Sequence, residues 1–148
     1  KIGNIAPDLV FNKEILAPGY VGGEIPKKLS ELKSNYTLVV FGASWCPKCT
    51  EEIPLLANNF AKWKQQDIEV VYVSLDVDEQ QFKSFASIFP FVSVCDYQKW
   101  ESPAVKSYHV FATPTMYLLD EQREILLRPT SVGHLEAWVD QYLVQGNK

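Results

Sequence analysis

The chain has 148 residues, 47% of them hydrophobic and 22% charged, with a formal net charge of −4. That composition excludes intrinsic disorder, and the length suits one domain over residues 1–148 with its own core. The acidic balance excludes a nucleic-acid partner gripped through phosphates, and no apolar run reaches the roughly 18 residues of a spanning helix.

Residues 1–35 read as irregular, with Leu9-Val10-Phe11 and Ile15-Leu16 as short strands. Pro18-Gly19-Tyr20-Val21-Gly22-Gly23 reads as a turn, and Ser30-Glu31-Leu32 as one helical turn. Tyr36-Thr37-Leu38-Val39-Val40-Phe41 is a continuous apolar, β-branched run, the pattern of a central strand buried on both faces. It ends at Gly42-Ala43-Ser44, followed by Trp45-Cys46-Pro47-Lys48-Cys49. A helix is expected next: Pro47 suits its first position, and Ile53, Leu56, Phe60 and Trp63 form one apolar face. Pro54 falls inside this pattern and predicts a kink. Ile68 to Leu75 reads as a second central strand, residues 79–89 as a helix and Phe91 to Val94 as a short strand. Residues 103–108 suggest another helix. Thr115 to Leu119 and Glu124 to Arg128 predict a hairpin. A last helix starts near Ser131, with Leu135, Trp138, Val139, Tyr142 and Leu143 on its apolar face. Strands alternating with helices imply a mixed α/β sheet with helices on both faces.

Three cysteines are too few for a disulfide scaffold, and the number is odd. Cys46 and Cys49 form a C-x-x-C at a strand-to-helix junction. There the unpaired backbone N–H groups and the helix dipole stabilise a thiolate at Cys46, and Lys48 adds positive charge. The thiolate is the attacking species in thiol–disulfide exchange. Cys49, one turn along, can resolve a mixed disulfide formed by Cys46. Two alternatives compete with this reading. A zinc site needs four ligands, and Cys95, His109 and His134 are scattered without ligand spacing. A structural disulfide across two residues closes too small a loop to stabilise much.

The stretch from Phe41 to Cys49 resembles the active site of the thioredoxin superfamily, and Ala112-Thr113-Pro114-Thr115 resembles its cis-proline loop. The opening Gly3 to Leu9, together with Glu52-Ile53-Pro54, narrows the resemblance to the ResA/TlpA-like thiol-disulfide oxidoreductases. The resemblance implies a thioredoxin-like fold with an N-terminal strand extension and a helical insertion over residues 76–107 that thickens the fold. It implies Cys46 as nucleophile and Cys49 as resolving thiol, Trp45 and Pro47 beside them, and Thr113 and Pro114 as the platform for an extended client chain. It also implies Glu52 as the acid that moves protons for Cys49. No cofactor is expected beyond a redox-active Cys46–Cys49 disulfide.

Departures from the wider family bound the reading. Thioredoxin's buried aspartate, six residues before the nucleophile, is Val40 here, which favours Glu52. Pro47-Lys48 replaces thioredoxin's Gly-Pro, so the redox poise is not inherited. The N-terminal opening is shared with peroxiredoxins, but Val39 and Ala43 stand where those enzymes need Pro and Thr. Cys95 reads as a buried bystander, His109 and His134 as surface or packing residues, and Trp63, Trp100 and Trp138 as core.

The leading function is reduction of disulfides in client proteins through a mixed-disulfide intermediate. The alternatives are a disulfide oxidase or isomerase and, third, a metal-carrying or interaction module that uses the C-x-x-C as a soft ligand pair. The resemblance places the protein outside a bacterial cytoplasmic membrane, in the periplasm or membrane-tethered. A membrane or soluble thiol reductant would lie upstream. Lys1-Ile2-Gly3-Asn4 has neither an apolar signal region nor an initiating Met, which is compatible with a signal or anchor ahead of residue 1.

Overall fold

The computed structural model describes residues 1–20 and 23–147. Val21 and Gly22, within the turn expected over residues 18–23, lie outside the described residues; Tyr20 N–H closes the start of that turn on the Ala17 carbonyl at 3.2 Å.

The apolar run at Tyr36–Gly42 forms β2, flanked in the sheet by β3 (Ile68–Ser74) on one side and β5 (Thr115–Asp120) on the other. Leu38, Val39, Val40 and Phe41 are all fully buried, as a strand covered on both faces requires. The six-stranded sheet runs β1 (Glu14–Leu16), β4 (Val92–Cys95), β3, β2, β5, β6 (Ile125–Leu127). β2, β3 and β4 are parallel, while β1, β5 and β6 are antiparallel to their neighbours. This mixed sheet matches the expected α/β architecture.

The parallel strands require crossovers, and helices supply them. α1 (Pro47–Lys64) returns the chain from β2 to β3, burying Cys49, Ile53, Leu56, Phe60 and Trp63 at helical spacing. Pro54 lies inside α1 without ending it. α2 (Glu79–Ala86) is capped by Asp78, whose carboxylate accepts from the Gln81 amide at 2.9 Å. Its Phe82 and Phe85, with Phe89 beyond it, pack edge-on or tilted around Tyr72 of β3. α3 (Pro103–Ser107) is short, and α4 (Val132–Val139) begins at the Ser131 cap.

The structure corrects several details. Leu9-Val10-Phe11 is not a strand: Val10 makes only an isolated bridge to Lys28, while Leu9 and Phe11 anchor the segment in the core. α2 stops at Ala86, short of Phe89. Tyr142 is 56% exposed although the helical pattern placed it inward, because the chain passes into a wider π-turn at Asp140–Val144 that rotates the face. Trp63 is core, Trp138 is half-buried and Trp100 is exposed.

Beside the sheet, residues 3–6 run along β6. Gly3 N–H and the Asn4 carbonyl pair with Ile125, and Ala6 N–H donates to the Arg123 carbonyl at 2.7 Å.

Candidate active site

β2 ends at Gly42, and Ala43 and Ser44 deliver Trp45 and Cys46 to the mouth of α1. Cys46 is the N-cap residue: its backbone is extended, and its Sγ accepts a hydrogen bond from the Cys49 amide at 3.3 Å. Pro47 occupies the first turn, where the lack of an N–H costs nothing. Cys46 sits at the surface edge with 6% exposure, and Cys49 below it has none. All three cysteines are free thiols.

The two thiols are electrostatically unequal. Burial opposes ionisation of Cys46, but the Cys49 thiol, Thr113 and the backbone amides of Cys49 and Lys48 outweigh it, so its pKa falls below the ordinary thiol value. Cys49 goes the other way: burial above all, and then the neighbouring Cys46, push it up to about 12. One sulfur is prepared to attack and the other is kept protonated until it is needed.

Gly42 sets how closely α1 rides on the sheet. A Cβ at this position would lie 2.6 Å from Ile53 Cδ1 and 3.0 Å from Cys49 Sγ. Only glycine leaves room for the resolving sulfur.

The loop before β5 closes the site from the other side. The Thr113–Pro114 peptide is cis, and the Thr113 carbonyl accepts from Cys46 Sγ at 3.6 Å. Trp45 is 43% exposed beside Cys46. Trp45 and Pro47 adjoin Cys46 in the chain, and the Thr113 carbonyl, next to Pro114, approaches it from the loop before β5.

Glu52 has a definite partner. Its Oε1 accepts a hydrogen bond from the Val132 amide at 2.7 Å, so it caps the start of α4 from the side of α1.

Two contributors were not singled out from the sequence. Asp76, just beyond β3, is fully buried, and its Oδ1 accepts from both the amide and the hydroxyl of Ser44, each at 3.0 Å. Its Oδ2 has no hydrogen-bond partner. Lys99 lies in the segment read as thickening the fold, yet its ammonium stands 5.0 Å from the centre of the Trp45 ring. Asp76 had a signal in the sequence, being the first acid beyond an apolar strand; Lys99 had none.

Cys95 is buried, donates to the Asp76 carbonyl at 3.3 Å and is pushed up to about 11, chiefly by burial. His109 and His134 are exposed, and the His134 ring accepts from Thr130 N–H at 3.1 Å. Among the described residues, no three His, Cys, Asp or Glu side chains converge as metal ligands would, and no helix is long and apolar enough to cross a membrane.

Comparison with known proteins agrees with this geometry. The chain is 31% identical to human nucleoredoxin over 115 residues, covering 76% of this chain and 26% of that protein. It thus spans about a quarter of the length of the nucleoredoxins it matches. It is 25% identical over 154 residues to the thiol-disulfide oxidoreductase ResA of Oceanobacillus iheyensis, covering 99% of this chain and 76% of that one. The thioredoxin domain of a thiol-disulfide oxidoreductase from Bacteroides vulgatus superposes with a TM-score of 0.75 at 20% identity, over 97% of this chain and 98% of that chain. Residues 34–125, more than half of the chain and including the whole dithiol helix, match the thioredoxin-like family model. The chain therefore belongs to the thioredoxin-like family.

Proposed function

We propose that the protein reduces disulfides in client proteins. The observation that carries this reading is the inequality of the two thiols, Cys46 lowered and Cys49 raised to about 12 while 3.3 Å separates Cys46 Sγ from the Cys49 amide. The Cys46 thiolate attacks one sulfur of the client disulfide. That S–S bond breaks, the departing client sulfur takes up a proton, and a Cys46–client disulfide forms. Cys49 then loses its proton and attacks Cys46 Sγ. The client leaves with both sulfurs reduced, and the two electrons it gained leave a Cys46–Cys49 disulfide behind.

Glu52 lies three residues after Cys49, one helical turn along α1. We assign it the Cys49 proton, alongside its hold on Val132. Trp45 and Pro47 flank the attacked sulfur, while the Thr113 backbone and Pro114 support an extended client segment. Similarity to ResA supports a site of action outside the cytoplasmic membrane, in the periplasm or on a tether, with a membrane or soluble thiol donor restoring the dithiol. The chemistry needs no cofactor beyond the cysteine pair.

The test is insulin-disulfide reduction by the pre-reduced protein. Cys46→Ser abolishes it, and Cys49→Ser accumulates a covalent adduct with the client. Full reduction by Cys46→Ser overturns the reading. The Cys46–Cys49 reduction potential fixes the direction: about −270 mV marks a reductant, and about −120 mV marks an oxidant that donates its disulfide.

A further inference from the structure

The reactive sulfur is ringed by side chains that the exchange chemistry does not use. Lys99 is held over the Trp45 ring at 5.0 Å, and Lys48 sits between the two cysteines. Neither lysine has an ion-pair partner among the described residues. The acids near them in sequence are committed elsewhere or left unpaired. Asp96 accepts from Gln98 N–H at 3.0 Å and from the Ser102 hydroxyl at 2.6 Å. Asp78 caps α2, Glu101 pairs with Lys106, and Glu52 holds Val132. Glu51 is exposed one turn from Lys48 without pairing to it.

The segment that delivers Lys99 is fixed. Tyr97 and Lys99 both have left-handed backbones, with φ of 63° and 53°, a conformation that non-glycine residues seldom adopt. The two Asp96 hydrogen bonds brace the backbone of this turn, and the ammonium rests over the Trp45 ring.

Apolar surface gathers at the same place. Trp45 is 43% exposed, and Phe111, two residues ahead of Thr113, is 81% exposed. Single exposed apolar residues need no explanation. Trp45 directly precedes Cys46, and Phe111 stands two residues before Thr113, whose carbonyl accepts from Cys46 Sγ.

We propose that this rim selects client segments whose attacked cysteine has an acidic residue and a bulky apolar residue within two positions of it. The carboxylate meets Lys99 and Lys48, and the apolar side chain packs on Trp45 or Phe111. The chain as a whole carries −4, so Lys99 and Lys48, free of ion pairs among the described residues, are the groups at this rim with which an acidic segment can pair. The inference rests on the exchange reading above and names the client chemistry of that same site.

The test uses the reduced full chain and three short peptides. Each carries one cysteine in a disulfide with the same small thiol and has Leu on one side of it. On the other side stands Glu, Gln or Lys. Single-turnover reduction rates are divided by those with dithiothreitol, which removes each peptide's intrinsic reactivity. The Glu peptide is expected to react about fivefold faster than the Gln peptide at low salt, the upper range for exposed ion pairs, and the Lys peptide slower. Lys99→Gln should cut the Glu preference at least by half, and about 0.5 M salt should erase it. A fourth peptide with Ser in place of Leu beside the cysteine is expected to react more slowly, and Phe111→Ser should narrow that difference. Equal normalised rates for the three peptides, or a Glu preference that survives Lys99→Gln, overturn the proposal while leaving the exchange reading intact. Failure to reduce any of the peptides overturns both.

Discussion

Asp76 Oδ1 takes two hydrogen bonds from Ser44, one from its amide and one from its hydroxyl, each at 3.0 Å. The end of β3 thereby holds the loop that presents Trp45 and Cys46. Asp76 is itself held, since its amide donates to Ser74 Oγ at 2.9 Å and its carbonyl accepts from Cys95. Asp76→Ala leaves the Ser44 donors without their acceptor and should lower stability by about 2 kcal/mol. Asp76→Asn keeps an acceptor and removes a buried charge, so its cost should be less than half of that. Urea unfolding of the reduced proteins checks the order, and insulin reduction should fall with Ala more than with Asn.

Glu52 joins two helices through one hydrogen bond to Val132. Glu52→Ala should destabilise by about 1 kcal/mol, the usual cost of a lost helix cap. Glu52→Gln keeps the acceptor and should recover most of that stability while slowing client release from the Cys46 mixed disulfide. Denaturation midpoints follow the first effect, and the lifetime of the trapped adduct follows the second.

The pH dependence of the reduced protein has a definite sign. Cys49 and Cys95 are raised to about 12 and about 11 by burial, whereas an unfolded thiol titrates near about 8.5. The folded chain holds these protons more tightly, so the stabilisation is complete below about pH 8.5 and declines as pH rises toward the folded values. The slope should approach about 1.4 kcal/mol per pH unit for each thiol inside that window. Cys46 is lowered and works in the opposite direction, over the interval below the ordinary thiol value. Urea unfolding between about pH 8 and 10 should show the decline, and Cys95→Ala should flatten it.

Alkylation separates the same groups kinetically. Iodoacetamide should modify Cys46 first, with a midpoint below the ordinary thiol pKa, while Cys49 and Cys95 stay unmodified in the folded protein. Peptide mapping after brief exposure at neutral pH checks this. Modification of Cys49 before Cys46 would contradict the assigned roles.

Gly42→Ala places a methyl group 2.6 Å from Ile53 and 3.0 Å from Cys49 Sγ. The helix must lift or Ile53 must turn aside, at about 1–3 kcal/mol. Reduced thermal stability with slowed resolution of the mixed disulfide is expected. An unchanged melting temperature would show that the contact relaxes freely.

Much of this was legible in one chain. The strands Tyr36–Gly42 and Ile68–Ser74 announce themselves because burial on both faces demands an unbroken apolar run. Cys46 and Cys49 were legible because their chemistry depends on local spacing, and the Thr113–Pro114 loop through its resemblance to the cis-proline loop of the thioredoxin superfamily. Asp76 and Lys99 were not singled out. Their roles arise from contacts across 32 and 54 positions, to Ser44 and Trp45, which no periodicity encodes. Glu52 was found for its nearness to Cys49, while its bond to Val132, 80 residues on, was invisible. Trp100 was misjudged because aromatic bulk suggests burial, whereas a short turn leaves it at the surface.

The pairing of residues 3–6 with Arg123 and Ile125 bears on how copies of this chain behave toward one another. β6 is the last strand of its sheet, and an open last strand offers unpaired amides and carbonyls to any neighbouring chain. The opening residues occupy part of that ladder. Residues 3–6 thereby shield part of one flank of the sheet from strand addition by a neighbouring chain.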